Sequence, residues 1–161
     1  MTDIAEKIKN SGLLTDIFGR WPSFHDAEVI SIELFRDPKS TNEPSLRAKI
    51  YVFEATPELD DRGFYVLKNH ELVTFLFSGI DENSVAGFNQ QNVLGDLSIE
   101  DISSRQLDRL KFEVHFASIF GVEAEFNCRA VEVEALEPFG PREATAFPRR
   151  STPKAGAYKP N

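Results

Sequence analysis

Cysteine is nearly missing from this chain. The one present, Cys128, finds no second cysteine among the 161 residues, which excludes an internal disulfide and fits a reducing compartment. Long apolar runs are missing too. No stretch approaches the roughly 20 residues of a membrane-spanning helix, and the opening MTDIAEKIKN is no signal peptide. The expected location is therefore the cytoplasm, away from membranes. No Gly-x-Gly occurs on which a phosphate loop could be built, and neither His-Glu-x-x-His nor Cys-x-x-Cys appears.

Positive charge is scarce as well, and unevenly placed. After Glu137 come Arg142, Arg149, Arg150, Lys154 and Lys159 with one acid, Glu143; residues 1 to 137 hold 13 Lys and Arg against 25 Asp and Glu, a net of −12. Such a body repels nucleic acid, because affinity for phosphates comes from Lys and Arg displacing counterions. It attracts a basic protein surface. The plainer alternative is that the acidity serves solubility alone.

What the chain has in plenty is phenylalanine, fourteen in all, recurring inside strand-like runs and pointing to an aromatic core. The length allows one domain with a proper core, over residues 1 to 137. From Pro138 to residue 161 Pro, Gly, Arg, Ser and Ala dominate without periodicity, which predicts a flexible tail.

Thr2-Asp3 is a helix N-cap signal ahead of Ile4 and Ile8, and Leu13 to Phe18 reads as a second short helical turn closed by Gly19. Alternation then predicts strands at about 27–36, 46–55, 71–77 and 93–99. Residues 56 to 70, acidic and turn-rich, read as a loop. A hairpin follows, with Phe112, Val114 and Phe116 in phase on one arm, Ile119-Phe120-Gly121 as the connection, and Val122, Ala124, Phe126 and Cys128 on the other arm. After Arg129 the apolar phase moves to odd positions, which a β-bulge would absorb. Helices first and strands afterwards predict an α+β domain: a single antiparallel sheet of about five or six strands with the N-terminal helix packed on one face.

The polar residues with chemical potential gather in WPSFHDAEVISIELF, residues 21 to 35. His25, Asp26 and Glu28 follow the apolar anchors Trp21 and Phe24 where helix gives way to strand. With His70 or His115 they would make a metal or acid–base site. Against this, strand alternation places Asp26 and Glu28 on one face and His25 on the other. The competing readings are that they pin the turn by bonding leftover backbone groups, or that they meet a partner. Asn89, Gln90, Gln91 and Asn92 read either as a self-satisfying polar loop or as a recognition loop. Glu113, His115, Glu123 and Glu125 share the hairpin's outer face, with Glu132 and Glu134 continuing the stripe. A solvated face and a docking surface for Arg or Lys are its two readings. Cys128, on an apolar strand face, reads as an inert packing thiol.

FGRWPSFHDAEVISIEL resembles the N-terminal signature of the immunity protein 50 family, and GFNQQNVLGDL at 87 to 97 is similar to the middle of that family. The likeness covers roughly residues 13 to 135. It implies a small bacterial immunity protein of a polymorphic toxin system, whose partner is a cognate toxin domain; the missing catalytic constellation in the residues themselves adds the expectation of no catalysis and no cofactor. Trp21, His25, Asp26, Glu28, the Asn89–Asn92 run and the acidic hairpin face are then the candidate contacts. The rival readings are a small metal-dependent hydrolase on His25, Asp26 and Glu28, and a regulatory module for an unrelated protein.

Overall fold

The computed structural model describes residues 3–140. The N-terminal segment contributes little helix. Asp3 caps a single 3-10 turn, Ile4–Lys7, its carboxylate accepting the Ala5 N–H at 3.2 Å. α1 spans only Gly12–Phe18 and stops at Gly19, which takes φ +77° so that its N–H can close back on Thr15 O. Leu14, fully buried, is its core anchor.

Strands make up most of the rest: β1 (Glu28–Arg36), β2 (Pro44–Leu59), β3 (Tyr65–Ser78), β4 (Asp81–Ala86), β5 (Val93–Asp101), β6 (Phe112–Phe120), β7 (Glu123–Cys128) and β8 (Ala130–Pro138). They form one sheet in the spatial order β4-β7-β6-β5-β1-β2-β3-β8, with every pair antiparallel.

The α+β expectation of five or six strands with a packed N-terminal helix is therefore overturned. Among the described residues there are eight strands and one short helix. Of three departures from the sequence pattern, the first lengthens β2 and β3 and the other two add strands. In the stretch read as a loop, only residues 60–64 turn. There the Asp60 carboxylate accepts the N–H groups of Arg62 and Phe64 at 2.9 and 3.0 Å, and the flanking acids and lysine ride on long strands. β4, DENSVA, sends only Val85 toward the core, so its sequence shows no alternation. At Arg129 the chain does not bulge. It leaves the side of β6 and begins β8 against β3, pairing Ala130 with Ser78.

Two short links dictate the overall shape. β3 passes to β4 through Gly79 and Ile80, and β7 passes to β8 through Arg129, yet each pair sits at opposite ends of the strand order. A residue spans at most about 3.6 Å, so the ends of the sheet must lie together. The sheet folds over, and its two halves enclose the core. Phe77 of β3 meets Phe116 of β6 and Phe126 of β7 at ring distances of 6.0 and 5.1 Å, as an aromatic-rich sequence anticipates.

The halves join where β1 meets β5, through one strand pair, Glu28 with Val93. Backbone bonds lengthen this seam: Asp26 N–H to Leu94 O, Leu94 N–H to Ala27 O and Val29 N–H to Asn92 O, at 2.8 to 2.9 Å. The β8 edge is covered by Lys9, which donates to Val131 O and accepts from Val133 N–H. Pro138 closes β8, and Phe139 packs on Tyr51 at 5.0 Å. The flexible tail expected after residue 137 lies, beyond residue 140, outside the described residues.

A bidentate ion pair clamps the link at Arg129. Its guanidinium meets both carboxylate oxygens of Glu43, the residue before β2, at 2.5 and 3.0 Å. This bond holds the Glu43 carboxyl below its ordinary value of 4.5. A lowered folded-state pKa contributes stability that is complete above the unfolded value and disappears as pH falls through the folded one. Glu43→Gln should therefore flatten the decline of melting temperature below about pH 4.5, which melts across an acid series would show.

Candidate partner-binding surfaces

The motif around His25 is a turn before it is a site. Ser23 Oγ accepts the His25 N–H at 3.2 Å, and Phe24 O accepts the Ala27 N–H at 3.0 Å, leaving His25 and Asp26 at the corner. Asp26 takes φ +70°, a conformation that Asp tolerates better than most residues. Strand alternation begins only at Glu28, so the expected separation of His25 from Asp26 does not occur. Their side chains meet, His25 Nδ1 to Asp26 Oδ2 at 3.3 Å, with His25 largely exposed and Asp26 largely covered. Glu28 is buried in β1, directly opposite Tyr51 of β2. Trp21 is half-buried, packing on Phe24 and Phe75 at 5.9 and 6.1 Å. Phe24 is buried.

Beside this turn lies a cavity of about 230 Å³, lined by Phe18, Arg20, Ser23, His25, Asp26 and Phe53 among others. The other histidines have different partners. His70 Nδ1 sits 2.7 Å from the Tyr51 hydroxyl, and burial lowers its pKa; His115 Nε2 lies 3.9 Å from Glu123. Among the described residues no three His, Cys, Asp or Glu side chains are grouped to hold a metal ion. Burial pushes the Cys128 thiol up to about 12, so it stays protonated at neutral pH.

The Asn-Gln run bonds largely to itself and to the hairpin turn. Asn92 is buried; its Oδ1 accepts the Asn89 and Val122 N–H groups at 2.9 and 3.1 Å, while its Nδ2 donates to Asn89 O at 2.7 Å. Asn89 Oδ1 accepts the Gln91 N–H at 2.8 Å. Asn89 and Gln90 stay exposed, whereas Gln91 is half-buried. Gly121 has to be glycine here: its φ is +77°, and an added Cβ would collide with Gln91 O and Asn92 Oδ1.

The outer face of β5, β6 and β7 gathers the acids. Register pairs Glu100 with Glu113, Ser98 with His115 and Asp96 with Ala117, then Glu113 with Asn127 and His115 with Glu125. Residues directly opposite share a face. Asp96, Glu100, Glu113, Glu123 and Glu125 therefore stand together around His115. Strands β4 to β7 carry eight Asp and Glu and no Lys or Arg, whereas β1, β2, β3 and β8 contain four basic residues. Arg105, 3.4 Å from Glu113, comes from outside these strands. The expected continuation of the stripe through Glu132 and Glu134 is not there. Both ride on β8, where Glu134 binds Arg47 at 2.6 Å and Glu132 lies near Asn10. The fold also leaves Phe88, Ile119 and Phe120 exposed; the sequence gives Phe88 no role and places Ile119 and Phe120 in the hairpin connection, whereas β6 extends through both.

These features describe a folded-over antiparallel β domain with one strongly acidic face. The chain belongs to the immunity protein 50 family, whose model matches residues 10–139. The match takes in both ends of the seam, the turn at 24–27 and the segment 87–97. No curated protein and no solved structure gives a match. Among the described residues no helix is long and apolar enough to cross a membrane.

Proposed function

We propose that this protein binds the toxin domain of a polymorphic toxin system in the bacterial cytoplasm. It neutralises that domain without catalysis, by covering it with the carboxylate face of β5, β6 and β7. The family supplies the immunity role. The observation that carries the mode of binding is the segregation of charge, five carboxylates on one face of strands that hold no Lys or Arg. A toxin domain that attacks nucleic acid needs a basic surface, and carboxylates can occupy the places where phosphates would lie.

In this reading Glu113, His115, Glu123 and Glu125 meet the partner, and Asn89 and Gln90 border the contact. Trp21, Asp26, Glu28, Gln91 and Asn92 hold the seam and the loop in shape, and His25 flanks the neighbouring cavity. The test is a pull-down using the purified product of the adjacent gene. A one-to-one complex that weakens as salt rises supports the proposal; failure to bind at low salt removes it.

A further inference from the structure

Three large apolar side chains emerge from the core at one end of the acidic half: Phe88 is 49% exposed, Ile119 42% and Phe120 46%. They come from two segments that are locked together. Asn92 bridges them through Asn89 and Val122, and a Cβ added at Gly87 would lie 2.7 Å from Gly121 O. Ile119 lies against Gly95, where an added Cβ would come within 3.3 Å of Ile119 Cγ1. The side chains are thus presented by fixed backbone, and little conformational freedom remains to be lost on binding. Around them are the exposed amides of Asn89 and Gln90, and the carboxylates of Glu123 and Asp96 follow along the strands. An apolar centre within a polar rim is the usual anatomy of a protein-binding hot spot.

We infer that Phe88 and Ile119, with Phe120 beside them, form the apolar anchor by which this protein grips its toxin. The occupant is an apolar pocket on the toxin domain bordered by Lys and Arg. Its chemistry follows from charge complementarity, since the anchor opens onto strands with eight acids and no basic residue. The inference rests on the immunity reading and names the part of the surface that holds the partner.

The experiment measures the affinity of the purified adjacent-gene toxin domain for the wild type, for Phe88→Ala/Ile119→Ser and for Leu34→Ala. Leu34 is an equally exposed apolar residue on β1. Both variants should melt with the wild type. The double variant should bind at least about 30-fold more weakly, the loss expected of a hot spot, and Leu34→Ala should bind normally. Phe88→Asp, outside any strand, gives the same reading without touching β6. Wild-type affinity in the double variant, with the wild type binding and protecting, overturns the anchor and leaves the immunity reading standing. A wild type that does not bind overturns both. Loss of self-association in the double variant, with toxin affinity intact, would show a surface for a second copy and also overturn the anchor.

Discussion

Replacing Asn92 by alanine is expected to lower stability by about 2–4 kcal/mol, since each stranded buried group costs roughly 1–3 kcal/mol. For a domain of this size that is a fall in melting temperature of roughly 6–12 °C. Truncation removes the acceptor of two N–H groups, on Asn89 and Val122, and the donor to Asn89 O. With Asn92 4% exposed, water has little access to replace them. Asn92→Asp keeps the acceptor, but it sets a carboxylate oxygen against Asn89 O and should fall between alanine and wild type. Thermal melts give the order. If alanine melts with the wild type, the loop is held by something other than this side chain.

Charge reversal of Glu123 and Glu125 to Lys is expected to slow association with the toxin domain by roughly ten- to a hundredfold at low salt, within the range of electrostatic steering. Dissociation should change far less, since exposed rim charges act chiefly on encounter. The wild type should itself slow as salt rises past ~0.15 M, where the Debye length is about 8 Å, and the two proteins should converge. Both acids are exposed, and the reversal places two cations in strands that otherwise have none. Rate constants at two ionic strengths decide the matter. Association indifferent to salt, with the double variant binding normally, would remove this face from the interface.

Much of the sheet was legible because alternation survives wherever one face is buried. β1, β6 and β7 sit close to where Ile32, Phe112 to Phe116 and Val122 to Cys128 place them. Pairing over long distances was not legible. The odd-phase apolar residues after Arg129 are equally compatible with a bulge and with a new strand, and only the partner, β3, separates the two. Glu132 and Glu134 thereby left the stripe to which their spacing assigned them. The two family-like segments gave no sign of touching, yet they bond across the β1–β5 seam through Asp26, Ala27, Val29, Asn92 and Leu94. The acids of the hairpin could be read from the sequence, but Asp96 and Glu100 joined them only through register. The apolar end was hidden for a different reason: the sequence places Ile119, Phe120 and Gly121 in the hairpin connection, whereas β6 runs on to Phe120 and both side chains stay exposed there.

Growth of cells expressing the adjacent-gene toxin domain tests the central claim most directly. Co-expression of this protein should restore growth, and the Glu123→Lys/Glu125→Lys variant at equal abundance should restore it less well. No rescue by the wild type, with both proteins present in soluble form, would contradict the account.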